Sequence, residues 1–196
     1  MIETKPADVQ QTLASAAHNL AKRGRPFALV GGLAISVRAE VRFTRDVDLA
    51  VAVLDDQEAE GLIFELKSAG YHAVATVEHE ARGRLSTTRL MSPHGIKVDL
   101  LFASSGIESE IVSLATVVAL PRIGPVPVAR AEELLAMKVL SMTERRLKDV
   151  IDARSLIEYN PELNLEAVRA NLRLIRERGY DRGEDLDAKL AGLLRP

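Results

Sequence analysis

The sequence predicts an α+β fold, a mixed β-sheet core flanked by helices and followed by a C-terminal helical region. Three observations carry this. Short β-branched or apolar runs such as FALV (27–30), VDLAVAV (47–53) and IKVDLLFA (96–103) alternate with helix-periodic segments as far as residue 128. Prolines and glycines punctuate that part densely, ending in the strand-like, proline-rich stretch ATVVALPRIGPVPVAR. From Arg130 onward the strand pattern stops and no glycine or proline interrupts 130–158. The boundary is accordingly placed at 128, with residues 1–128 as the α/β part and 129–196 as the helical part.

In chain order, Val9, Leu13, Ala16, Ala17 and Leu20 recur at helical spacing, which predicts a helix over 6–23 ended by Gly24 and Pro26. FALV is a short buried strand that stops at Gly31-Gly32, and a short helix follows over 33–38. The next strand is 47–53, and a helix over 56–68 is closed by Gly70. YHAVATV (71–77) and RLSTTRLM (84–91) read as a strand pair joined by a hairpin. SPHG (92–95) turns the chain into the strand 96–103. A short helix over 107–115 precedes one or two edge strands. Four helices are expected after that, over 130–142, 144–158, 165–178 and 182–194.

Composition narrows the chemistry. The chain has no cysteine, so disulfides, thiolate metal sites and cysteine nucleophiles are excluded. Its four histidines are scattered without ligand-like spacing. Aromatic residues make up 4% and there is no tryptophan, which disfavours base stacking on an aromatic platform. No run approaches the ~18 apolar residues of a membrane span, and the N-terminus lacks signal-peptide character. The expectation is therefore no membrane association and a cytoplasmic location. The formal net charge of -2 argues against non-specific duplex binding. Arg38, Arg42, Arg45, Arg82, Arg84 and Arg89 leave a local basic patch open.

The candidate chemistry lies in the acids. Side chains two apart on a strand share a face, so Asp46 and Asp48 project together while Val47, Leu49, Val51 and Val53 fill the opposite face. Asp99 stands among Ile96, Val98, Leu100 and Phe102 as a lone acid in an apolar strand. A carboxylate buried there needs a partner, either a metal ion or an arginine. If the two strands are neighbours, the three carboxylates converge and repel, and a divalent cation with its preference for oxygen ligands relieves that repulsion. Gly31-Gly32 between strand and helix lets backbone approach phosphate oxygens closely, with the N–H groups of the helix start directed at them. Each piece alone is more often structural: a tight turn, a capped strand end, a salt bridge. Their order along the chain points to one site.

Those residues resemble the nucleotidyltransferase superfamily with its polymerase-beta-like fold: a glycine pair after the first strand, a spaced pair of aspartates on the next, and a third acid on a later strand. RFTRDVD (42–48) more narrowly resembles the AbiEii/AbiGii-type toxin nucleotidyltransferases of abortive-infection and toxin–antitoxin systems, as does the run from Pro127 to Glu158 with its lysine helix followed by K-D-x-x-D. The resemblance implies transfer of a nucleoside monophosphate from an NTP to an acceptor, an RNA or tRNA end or a protein, dependent on Mg2+ (two ions, with Mn2+ an alternative), and an antitoxin partner. It assigns metal binding to Asp46, Asp48 and Asp99, with Asp99 helping to deprotonate the acceptor. Nucleotide contacts fall to Gly31, Gly32, Arg45 and Lys138, and a base role to Asp149. Asp152, one helical turn on, competes for that last position. Gly32 departs from the serine that many relatives carry.

Taken on their own chemistry, Lys138 in LLAMKVL snorkels to the surface or meets an anion, and Asp149 and Asp152 pair with Arg145, Arg146 and Lys148 at helical spacing. Two further functions stand beside the leading one: a small-molecule, antibiotic-type nucleotidyltransferase, and a nucleotide-binding regulatory module without turnover.

Overall fold

The computed structural model describes residues 8–79, 82–143 and 145–195. Helix α1 (Val9–Lys22) is capped by Asp8, whose carboxylate accepts from the Gln10 and Gln11 amides at its start. The first residues of the helix expected over 6–23, and part of the hairpin linker, lie outside the described residues.

Seven strands form one mixed sheet: β1 (Phe27–Val30), β2 (Asp46–Val51), β3 (His72–His79), β4 (Arg84–Met91), β5 (Lys97–Leu101), β6 (Thr116–Leu120) and β7 (Gly124–Val128). Their order across the sheet is β3-β4-β5-β2-β1-β7-β6. β2 pairs with β5 in parallel and β1 with β7 in parallel, while the remaining pairs are antiparallel. The two prolines of β7 are tolerated because it pairs with β1 only around Leu29 and Val128, so little ladder is lost. Helices α2 (Gly31–Arg38), α3 (Asp56–Ser68) and α4 (Glu108–Leu114) are inserted between strands. Helices α5 (Ala131–Ser141), α6 (Leu147–Tyr159), α7 (Leu165–Glu177) and α8 (Leu186–Leu193) close the chain.

The element order expected from sequence is thus reproduced, with displaced ends. Helix α2 starts at Gly31 rather than 33, because the chain enters the helix through a left-handed Gly31. Helix α8 starts at Leu186 rather than 182, because Arg182 and Gly183 both have positive φ and the helix is capped only at Asp185. Helices α5–α8 do not stand apart from the sheet. Leu134, Leu135 and Val139 of α5, Leu156 of α6 and Ile175 of α7 belong to the same buried cluster as Leu29, Val47, Leu49 and Leu100 of the strands. No described helix is long and apolar enough to cross a membrane.

Candidate active site

Register makes the site. β2 and β5 pair so that Asp48 stands directly beside Asp99, and β5 and β4 pair so that Asp99 stands beside Arg89. One row across the sheet therefore reads Arg89, Asp99, Asp48, and then Val30 of β1. Asp46 shares the face of Asp48 two residues earlier, as strand alternation requires, while Val47, Leu49 and Val51 are fully buried on the other side.

The turn from β1 into α2 lies against this row. Gly31 has φ +61, a region favourable only to glycine, and a Cβ there would stand 2.5 Å from Asp48 Cγ. The glycine is required twice, by its backbone and by the carboxylate packed over it. At Gly32 a Cβ would stand 2.7 Å from Thr44 Oγ1. A serine does not fit there, and the Thr44 hydroxyl occupies the space that a serine would take.

Opposite the acid row, α5 and α6 contribute a chain of ions. Lys138 Nζ lies 2.7 Å from Asp149 Oδ1 and 2.7 Å from Asp152 Oδ2. Arg146 Nε is 2.8 Å from Asp149 Oδ2, and Arg42 Nε is 2.8 Å from Asp152 Oδ1. Both aspartates are buried, so the charges depend on one another for stability. Of the pairings read from helical spacing, Arg146 with Asp149 forms, whereas Asp152 turns to Arg42 and Lys138, which tertiary packing brings to it.

The acids of the row and, from the ion chain, Arg42, Lys138, Arg146 and Asp149 line one cavity of ≈ 410 Å³, together with Gly31, Gly32, Thr44, Ser104, Ser105, Lys148 and Arg182. It gathers Asp46, Asp48, Asp99, Lys138 and Asp149. Arg45 is not among its lining residues: it is exposed, with its guanidinium 5.4 Å from the centre of the Phe43 ring. The six arginines considered as a patch disperse. Arg38 is held by the Ala129 and Val128 carbonyls, Arg84 by Asp56, and Arg89 by Asp99, while Arg42 alone of them lines this cavity.

Burial, and then the neighbouring Asp99, push the Asp48 carboxyl up to about 6, against the pull of the Gly32 amide. Among the described residues neither Asp46 nor Asp48 has an ion-pair partner. Asp99 does, since Arg89 Nε and Nη2 donate to its two oxygens at 2.8 and 2.7 Å. The partner that a lone buried acid requires is thus an arginine. Asp46 and Asp48 fit a divalent cation by charge, by position and by the unrelieved repulsion at Asp48. Asp99 fits only by sharing an oxygen already engaged by Arg89, and among the described residues no three acidic or histidine side chains are gathered around one ion-sized point. Sequence reasoning named Arg89 only within a candidate basic patch and Arg146 only as a helical partner of Asp149, and it missed Arg182. For Arg89 the strand alternation held a signal; Arg182 sat in a segment read only as a break before a helix.

The family model of the AbiEii nucleotidyl transferase toxins, type IV toxin–antitoxin system, matches residues 16–195. The chain belongs to this family. Membership makes it a nucleotidyltransferase, implies a nucleotide substrate and an antitoxin in its system, and brings in a family that generally uses divalent metal ions. The match runs through α7 and α8, so the terminal helices are part of the AbiEii unit. Among solved structures the chain is similar to an antigenic nucleotidyltransferase-like protein from Paracoccidioides brasiliensis, with 20% identity over 93% of this chain and 91% of that one and a TM-score of 0.52. It is also similar to the antibiotic-resistance factor ANT(2'')-Ia, with 16% identity over 87% and 94% and a TM-score of 0.52. Both likenesses are of fold. No curated protein sequence matches the chain.

Proposed function

We propose that this AbiEii-family protein transfers a nucleoside monophosphate from an NTP to the end of an RNA, with Asp46 and Asp48 holding Mg2+ and the nucleotide's phosphates lying along Gly31-Gly32. The observation that carries the reading is a pair of carboxylates, Asp46 and Asp48, without an ion-pair partner among the described residues and lining one cavity with Lys138 and Arg146. When bound, a divalent ion at the carboxylates offsets phosphate charge and acidifies the acceptor hydroxyl. The chain's own residues do the rest. Gly31, lacking a side chain, lets the backbone of the turn close up on the Asp48 carboxylate that would hold the ion. Lys138 and Arg146 supply positive charge opposite the acids. Asp149 and Asp152 hold Lys138 from both sides, and because Asp149 also engages Arg146, its geometry favours positioning these cations over acting as a base. Asp99, both of whose oxygens accept from Arg89, would hold the ion only through an oxygen shared with that guanidinium. An RNA acceptor, rather than an amine drug, suits Lys148, which lines the cavity with no carboxylate partner among the described residues.

The test is to incubate the protein with each α-labelled NTP, Mg2+, and total RNA, lysate protein or an antibiotic panel, and to repeat it with Asp46→Asn and Asp48→Asn. Label entering RNA and lost in both variants is the expected result. Transfer that survives both substitutions overturns the metal assignment, and label found only on protein or drug overturns the acceptor.

A further inference from the structure

The loop between α7 and α8 is docked onto the active-site wall. Arg178 donates to Glu110 at 2.9 and 2.6 Å and also to the Gly106 carbonyl. Tyr180 packs on Gly106 so closely that a Cβ there would stand 2.9 Å from two ring carbons. The segment that receives them is itself fixed from within. Buried Glu108 accepts from the Ser104, Ser105 and Gly106 amides at 2.7–2.9 Å and from both serine hydroxyls at 2.9 Å. Between two anchored pieces of chain, Arg182 emerges at the cavity and reaches only the Ser104 carbonyl, at 3.4 Å.

Arg182 differs from the other arginines of the site. Arg42, Arg89 and Arg146 each lie against an aspartate, whereas Arg182 has no carboxylate partner among the described residues. Its backbone has φ +59, which a non-glycine residue adopts at a cost. The surrounding protein, and then the like charge of Arg146, hold its pKa below the ordinary arginine value. Two guanidiniums thus line one cavity, and among the described residues only that of Arg146 has a carboxylate partner. An anion entering between them removes the repulsion and receives planar, two-pronged donors.

We infer that Arg182 is a phosphate-binding residue, taking the β- and γ-phosphates of the bound NTP, and the pyrophosphate that leaves, together with Arg146. This rests on the nucleotidyltransferase reading above and gives the α7–α8 segment a function: it carries the cation to a site whose acids come from the sheet.

Arg182→Gly tests this without confounding the fold, because glycine adopts the positive φ readily and the thermal midpoint is expected to stay at or above that of the parent. Binding of inorganic pyrophosphate with Mg2+, measured by calorimetry, is expected to weaken roughly tenfold in the variant, the loss shrinking as salt is raised. Arg182→Lys, which keeps the charge, is expected to recover most of it. Equal pyrophosphate affinity in parent and Arg182→Gly overturns the inference. So does a variant that binds pyrophosphate normally but loses a short oligoribonucleotide, since the phosphate contacted is then the acceptor's. Either outcome leaves the nucleotidyltransferase reading in place if transfer still requires Asp46 and Asp48, so the two failures are distinguishable.

Discussion

Replacing Asp48 by asparagine should make the metal-free protein more stable while it abolishes transfer. The carboxyl is held at about 6 against an ordinary 3.8, by burial first and by Asp99 second. A folded pKa above the unfolded one means that folding favours the protonated form, so ionised Asp48 costs stability. That cost is absent below pH ~3.8, grows as pH rises toward 6, and is constant above it. At ~1.36 kcal/mol per pH unit, the gap corresponds to an upper limit of about 3 kcal/mol at neutral pH. Asparagine keeps the shape, accepts from Gly32 with its carbonyl and offers its amide to Asp99, so most of that cost should be recovered. For a chain of this size, a gain of about 1–3 kcal/mol raises the melting midpoint by roughly 2–12 °C. The assay is urea or thermal unfolding in EDTA at pH 7.5, repeated with Mg2+, which should stabilise the parent and leave the variant unmoved. A variant no more stable than the parent in EDTA would refute the claim that Asp48 sits in an unrelieved, desolvated carboxylate pair.

Three other substitutions probe the same cavity. Arg89→Ala frees both oxygens of Asp99 beside Asp48; the metal-free protein should lose about 1–3 kcal/mol, and Mn2+ binding, followed by the signal of the free ion, should tighten. Gly31→Ala drives a Cβ into the Asp48 carboxylate from a left-handed backbone, so a loss of 2 kcal/mol or more is expected on unfolding, with transfer abolished. Lys138→Met leaves Asp149 and Asp152 with one arginine each, and should cost about 3 kcal/mol in denaturation while weakening NTP binding in a filter or calorimetric assay.

What was legible in the sequence was whatever depends on local periodicity. The alternation of β2 put Asp46 and Asp48 on one face, because side chains alternate along any strand wherever it lies. The apolar character of 96–103 marked Asp99 as buried, and the order of glycine pair, paired acids and third acid gave the family. Partner choice was legible only where it is local, as for Arg146 with Asp149. Helical spacing offered Arg145, Arg146 and Lys148 to the two aspartates of α6, yet Lys138 and Arg42 reach them from elsewhere in the chain, since a buried carboxylate takes whichever cation packing delivers.

The sequence by itself determined the elements, their order, the acidic strands and the glycine turn, all of which follow from interactions within a few residues. Only the tertiary structure decided that Asp99 is shared with Arg89, that Arg45 lies outside the cavity and Arg42 within it, and that Arg182 arrives there from the far end of the chain. These depend on sheet register and helix docking, which join residues 10 to 110 positions apart and leave no mark on local periodicity.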